Sequence, residues 1–443
     1  MKMDPTRLQA FRWGIERETH RIRADGTLSD APHPASLEPP SFTMDFAESQ
    51  LELVTKPQPS IPAVLDELAD LTGRALSSIG SDLLWPFSLP PALPPEGSIR
   101  LARPGHGEAA RSAERYRNGL ALRYGVRRQM ICGVHVNVSM GEALLAELER
   151  TAPLSAEEGK ERTAADAYYL RLARNLVDDL SSLVFFFGAS PVLDADGPVV
   201  SFRNSPLGYA RSEYRPFFDL TSLADHVAGI KRGLATESAD FRKFALVRDG
   251  RAIQLNGKVF QKEKEFYAPI RFRSISERGE TPVAALGRRG VEYLELRFFD
   301  VDPFSHTGVS PEALRLLHLL LLEALSRPSV PRTASEQRER LASADAAALT
   351  DPFALSEGSP LLRSAVARLK SLEPFAAALD GPYRRALEKY GAAAADPQLS
   401  TAALLYTAFR EAGTSWTAFG ARIARQTIEK TQGNTTKGGG DEN

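Results

Sequence analysis

A chain of 443 residues with 55 Lys+Arg against 56 Asp+Glu and 43% hydrophobic residues has the composition of a globular protein large enough to bury a sizeable core. The even charge balance argues against a dedicated nucleic-acid binder, whose footprint is strongly basic. One cysteine, Cys132, excludes an internal disulfide and a cysteine-based zinc site.

The opening residues MKMDPTRLQAFRWG contain no apolar run before a cleavage site, and the longest aliphatic stretch, Leu316 to Leu322, falls far below the ~18 apolar residues of a membrane span. A cytoplasmic location, with no membrane and no nucleic acid as partner, is the expectation. In chain order the first element is Trp13 to Thr19, a strand pattern in which Glu16 and Glu18 share a face against Ile15, Arg17 and Thr19. Closely spaced prolines make loops of Ser29 to Ser41 and Pro86 to Gly107. Between them, MDFAESQLELVT places Asp45 ahead of a strand whose Gln50, Glu52 and Val54 oppose Leu51 and Leu53. A helix follows over 60–79, with Ser60 and Pro62 at its start and Val64, Leu68, Leu71 and Ala75 on one stripe.

The segment QMICGVHVNVS alternates Met130, Cys132, Val134, Val136 and Val138 against Gln129, Ile131, Gly133, His135 and Asn137, which predicts a strand. Helices fit 163–187, ending at Gly188 and Pro191, and 222–234. VEYLELRFFDVDPF sets Glu295, Arg297 and Phe299 against Leu294, Leu296 and Phe298. Beyond Pro311, segments rich in Ala and Leu predict helices near 311–326, 335–348, 359–379, 382–391 and 398–430. The organisation expected is an α+β core over 1–305, a helical region over 306–430 packed on it, and a disordered Gly-rich tail over 431–443.

No P-loop, GxGxxG turn, GxSxG elbow or HExxH helix is present, so phosphate or metal chemistry needs another layout. Any one of the four strand patterns alone is most simply a half-exposed strand with its polar side in water. Taken together, their polar faces carry carboxylates with one His, one Asn and one Arg. Clustered carboxylates raise one another's pKa unless cations neutralise them, which points to a hard metal such as Mg²⁺ shared with phosphate oxygens. A basic set accompanies them, Arg117, Arg123, Arg203, Arg271 and Arg273, whose guanidinium groups match phosphate and carboxylate oxygens. For any single one of these arginines a surface or packing role is the simpler reading, and the other histidines form no metal-ligand spacing with His135.

The motifs GIERETHR (Gly14 to Arg21), MDFAESQLELVT (Met44 to Thr55), LWPFSLP (Leu84 to Pro90), YRNGLALRYG (Tyr116 to Gly125), GVHVNVS (Gly133 to Ser139), FYAPIR (Phe266 to Arg271) and EYLELRFFDVDPF (Glu292 to Phe304) resemble, in order and spacing, those of bacterial glutamate–cysteine ligases of the proteobacterial type. The resemblance implies an antiparallel sheet curled into a funnel and backed by helices, as in glutamine synthetases and guanidino kinases. It implies that ATP phosphorylates the glutamate γ-carboxylate and that the cysteine amine then displaces phosphate, the first step of glutathione biosynthesis. Carried over by motif position, Glu16, Glu18, Asp45, Glu52, His135 and Glu295 would surround Mg²⁺, with Mn²⁺ as a substitute. Arg117 and Arg297 would contact the transferring phosphoryl group, Arg203 a substrate carboxylate, and Phe46, Tyr116, Gln129, Asn137, Tyr209 and Tyr267 would belong to the substrate pockets. A separate glutathione synthetase is expected downstream.

The sequence departs from the family pattern at Met130, Cys132 and Val136, where Thr, Ser and Tyr are expected, and at Met44. Alternation assigns the first three to the core face, whereas a local bulge would bring Met130 or Cys132 into the amine pocket. The alternatives are therefore a γ-glutamyl ligase using a different amine and, from another class, a catalytically silent relative acting as a binding protein.

Overall fold

Period-two alternation is realised as one antiparallel sheet. The computed structural model describes residues 5–103, 105, 107–191, 197–208, 219–244, 246–248, 251–379 and 381–435. The strands are β1 (Phe11–Ile22), β2 (Phe42–Met44), β3 (Gln50–Val54), β4 (Leu83–Leu84) and β5 (Val134–Met140), then a separate hairpin of β6 (Val247–Arg248) and β7 (Arg251–Ala252), and finally β8 (Ile270–Arg273) and β9 (Tyr293–Phe299). The main sheet has the order β2-β3-β1-β5-β9-β8, with β4 pairing the end of β1, and it does not close. Helices back it, so the class is α+β.

One face of this sheet is apolar. Trp13, Ile15, Leu51, Leu53, Val134, Val136, Val138, Leu294 and Leu296 are buried there against the helices Ile61–Ser78, Ala164–Asp178, Leu180–Phe187 and Pro311–Ser326. The same core continues from Leu8 to Ala394, so the helices after residue 305 share it. Arg17 is an exception to the apolar pattern: its guanidinium donates to the His306 carbonyl at 2.8 Å. Gly308, at φ 78°, makes room for it, because a Cβ there would lie 2.8 Å from Arg17 Nε.

Local sequence sets the helix starts. Ser60, Thr163, Ser222 and Ser310 each accept a hydrogen bond from the backbone N–H three residues on, an N-cap worth about 1 kcal/mol. Interruptions are decided by packing. The helix expected over 163–187 divides at Asp179, whose carboxylate binds Arg327, just past the helix Pro311–Ser326, and Arg368 in the helix Pro360–Leu379. The helix expected over 398–430 divides into Thr401–Ala412 and Trp416–Thr435 at Gly413, which adopts a left-handed φ of 58°. That turn brings Trp416 back onto Phe87, ring on ring at 4.2 Å. The last helix runs to Thr435, into the stretch whose composition predicts a disordered tail, and residues 436–443 lie outside the described residues.

Two strand expectations need correction. Residues Val126–Gln129 form a helical turn after Gly125 (φ 86°), so Met130 and Cys132 precede β5 rather than belonging to it. In β9 the register shifts: Val136 opposes Leu296 but Val134 opposes Phe299, which leaves two residues, Arg297 and Phe298, across from His135. After this bulge both Phe298 and Phe299 enter the core, and Phe299 stacks on Phe187 at 4.1 Å instead of sharing the face of Glu295.

Candidate active site

The uncovered sheet face collects the charged residues. In register, Glu18 lies opposite Glu52 and Glu16 opposite His135. Glu295 lies opposite both Asn137 and Arg271. Like charges facing each other across a strand pair are destabilising, so the Glu18–Glu52 pair has a cost that stability alone does not explain. Glu16, Glu18, Glu52, His135, Arg271 and Glu295, with Asp45, Tyr116, Gln129, Arg203, Tyr267, Arg273 and Arg297, line a cavity of about 500 Å³.

Its acidic side is poised for a cation. Glu16, Glu52 and His135 each present one ligand atom, all within 4.8 Å of one another. Glu16 is oriented by the Asn137 amide, which donates to it at 2.9 Å, and lies 3.3 Å from His135 Nδ1. Desolvation, with Glu16, Asp45 and Glu18 nearby, pushes the Glu52 carboxyl up to about 8. Desolvation and Asp45 likewise push Glu18 up to about 7, against the pull of Arg203 and Arg297. Glu16 is held below the usual carboxylate range: burial opposes its ionisation, but the His135 and Asn137 contacts outweigh it. Burial and Arg297 depress His135 to about 4, so its imidazole is neutral and able to ligate a metal.

The opposite side is basic. Burial opposes ionisation of Glu295, yet Arg297, Arg271 and Arg273 hold its carboxyl far below the usual range. Arg297 donates directly to it, Arg273 Nε lies 3.4 Å away, and the Arg297 guanidinium sits 5.2 Å from the Tyr267 ring. The Nε–H groups of Arg203, Arg271 and Arg297 are buried without an acceptor among the described residues. Unsatisfied buried donors are costly, and anionic oxygens in the cavity would satisfy them.

Several residues singled out in the sequence stand elsewhere. Arg117 is turned onto backbone, donating to the carbonyls of Met44 and Asp45, and does not line the cavity. Phe46 packs with Met130 and Ala47 in an apolar cluster behind the wall. Asn137 acts on Glu16 and does not line the cavity, and Tyr209 lies outside the described residues. Cys132 is fully buried in the main core, with its thiol pushed well above its ordinary pKa by desolvation. Arg123 forms a buried ion pair with Glu265 at 2.8 Å and stacks over Phe241, a structural bolt behind the Glu265 wall, and does not itself line the cavity. Thr43 was not flagged by sequence reasoning; it lies opposite Glu52 and donates its hydroxyl to that carboxylate. The signal was available, since Thr43 stands two residues before Asp45. Lys264 and Glu265 also line the cavity and carried no periodic signal.

The chain has counterparts among known proteins. A family model described as glutamate-cysteine ligase matches residues 2–196 and 198–346. The glutamate–cysteine ligase of Clostridium acetobutylicum is 36% identical over 363 residues, covering 74% of this chain and 74% of that protein. The enzyme of the same name from Azotobacter vinelandii is 33% identical, covering 92% of this chain and 84% of its own. Among solved structures, glutamate–cysteine ligase from Francisella tularensis in complex with AMP has a TM-score of 0.85 at 26% identity, covering 97% of this chain and 89% of that one. A bifunctional glutathione synthetase from Pasteurella multocida shares the fold, with a TM-score of 0.74, 24% identity and coverage of 96% of this chain and 52% of its own.

Proposed function

The chain belongs to the glutamate–cysteine ligase family, and on that premise we propose how its cavity joins L-glutamate to L-cysteine at the expense of ATP. The activity is that of an ATP-dependent ligase forming γ-glutamylcysteine. The observation that carries the site assignment is the meeting, in one cavity, of an acidic cluster with three guanidinium groups whose buried Nε–H donors lack acceptors among the described residues.

Glu16, Glu52 and His135, bordered by Glu18, Asp45 and Glu295, fit Mg²⁺ or Mn²⁺. The donors are hard oxygens with one neutral imidazole, and the raised Glu18 and Glu52 carboxyls are the mark of an uncompensated acidic cluster. When bound, the metal neutralises phosphate charge and orients the triphosphate. Arg297, with Arg271 and Arg273 beside it, accepts the negative charge of the transferring phosphoryl group, and Arg203 binds a carboxylate of glutamate. A γ-carboxylate oxygen attacks the terminal phosphorus and ADP departs. The amine of cysteine then attacks the acyl carbon and phosphate departs. Tyr116, Gln129 and Tyr267 wall the amine side.

Cysteine as acceptor is supported by where the departures from the family pattern lie: Met130, Cys132 and Val136 are all in apolar packing and none lines the cavity. Glycine addition is left to a separate glutathione synthetase. Phosphate release with Mg²⁺, ATP and glutamate, compared across amines and with the product weighed by mass spectrometry, tests the reading. Cysteine should be the best amine, 2-aminobutyrate a poorer one and leucine or a diamine nearly inert, since a methyl-for-thiol exchange is worth only about 1–3 kcal/mol. A larger kcat/KM for a diamine or leucine than for cysteine would sink the acceptor assignment.

A further inference from the structure

The geometry points to Asp300 as a positioning residue for Arg203, and this inference rests on the reading of Arg203 as a glutamate ligand. Arg203 is carried by a loop rather than a strand, so its placement needs a separate cause. Its guanidinium is 1% exposed and is held by the end of β9: Nη1 donates to the carbonyls of Arg297 at 2.7 Å and Phe299 at 3.1 Å. Nη2 lies 3.5 Å from His135 Nε2, and Nε has no acceptor among the described residues. Gly133 leaves space in front of it, because a Cβ there would fall 2.2 Å from Nη2.

Behind this arrangement stands Asp300, itself 3% exposed, at the next position of the same strand end. One carboxylate oxygen accepts from the Ala189 N–H at 2.8 Å, the Ser190 hydroxyl at 2.6 Å and the Ser201 hydroxyl at 2.8 Å. The other lies 3.4 Å from the Asn204 amide nitrogen. Each serine hydroxyl, its proton committed to Asp300, then accepts from the backbone of the loop: Ser190 from Arg203 N–H and Ser201 from Asn204 N–H, both at 3.1 Å. Asp300 therefore fixes the backbone of Arg203 while the carbonyls just before it fix the guanidinium. Its carboxylate does not line the cavity. A residue that acts only through Arg203 should alter glutamate binding and nothing else in the reaction.

The test is steady-state kinetics of Asp300→Ala, Ser201→Ala, Arg203→Lys and the Asp300→Ala/Arg203→Lys double variant, each checked for folding by circular dichroism. Asp300→Ala should raise KM for glutamate about tenfold while KM for ATP stays within about twofold. Asp300→Asn, which keeps one acceptor oxygen in place, should recover much of that loss. The double variant should be within about twofold of Arg203→Lys alone, because both substitutions remove one function. An unchanged glutamate KM in folded Asp300→Ala, or effects that simply multiply in the double variant, would overturn the inference. If Asp300→Ala does not fold, Ser201→Ala decides: glutamate KM should rise about threefold with ATP KM unchanged, and no rise overturns the proposal. An unchanged glutamate KM in Arg203→Lys would instead refute the role given to Arg203 itself.

Discussion

Two glutamates in this chain meet burial in opposite ways. Behind the sheet, Glu158 accepts from Arg171 Nε at 2.8 Å and Nη2 at 2.7 Å, while Ser155 and Ser329 supply further donors. Burial alone would raise its pKa, but Arg171 and these donors hold it down to about 2. On the cavity face, Glu52 stands opposite Glu18, receives the Thr43 hydroxyl, and is pushed up to about 8. The first network pairs its charge within the protein; the second sets carboxylates against one another. A saturated charge network contributes to folding, whereas an unsaturated one holds free energy that a ligand can release.

Breaking each network should therefore produce opposite phenotypes. Arg297→Ala removes the positive charge proposed to face the transferring phosphoryl group and should lower kcat by about 10³- to 10⁵-fold, with a smaller loss of stability than Arg171→Ala because Arg271 and Arg273 still flank Glu295. A folded variant with near-normal turnover would remove Arg297 from the site. Arg171→Ala should do the reverse: leaving Glu158 buried and unpaired should cost about 3–5 kcal/mol of stability in denaturant titration, with normal kcat in the molecules that remain folded.

The pH dependence sharpens the comparison. Folded Glu52 and Glu18 titrate at about 8 and about 7 against a usual 4.5, so between 4.5 and about 8 these two carboxyls hold more protons in the metal-free folded chain than in the unfolded one. Their contribution to stability should fall as pH rises through that window, and it is read above 6.5, because below that pH His20, His135, His226 and His318, which burial holds at about 4, act with the opposite sign. Mg²⁺ should counter the fall, giving a larger rise in melting temperature at pH 8 than at pH 6, and Glu52→Gln should flatten the metal-free curve. An equal Mg²⁺ shift at both pH values would contradict the acidic-cluster account. For Glu158 the sign reverses: its contribution is present above 4.5 and is lost as pH falls toward about 2.

Smaller effects test the walls. Gly133→Ala drives a Cβ into the Arg203 guanidinium and should cost about 1–3 kcal/mol, appearing in glutamate KM before it appears in melting temperature. Cys132→Ser buries a hydroxyl in the main core, where the Gln50 amide at 3.8 Å from the sulfur is its polar neighbour. It should lose about 1–2 kcal/mol of stability with kcat almost untouched, and a folded but inactive variant would place the thiol in the chemistry after all.

Much of the site was legible because a strand repeats every two residues whatever its neighbours are. Glu16, Glu18, Glu52, His135 and Glu295 share a face by parity alone, and the apolar partners Ile15, Leu51, Val136 and Leu296 say which face is covered. The starts at Ser60, Thr163 and Ser222 were legible for the same reason, since an N-cap is completed by a backbone group three residues away.

The arginines were not legible in this way. Arg123 and Arg271 read alike in sequence, yet Arg123 ends on Glu265, 142 residues away, and Arg271 borders Glu295 in the cavity. A long, flexible side chain goes where acceptors are, and those acceptors come from distant segments brought together only by folding. The bulge that sends Phe299 into the core, the cluster that takes Phe46 and Met130 away from the cavity, and the turn at Gly413 that returns Trp416 to Phe87 have the same origin. Sequence by itself determined which faces are charged and which are apolar, because those are properties of neighbouring residues. Tertiary structure decided which charges find partners and which are left for a ligand, because that depends on contacts between residues far apart in the chain.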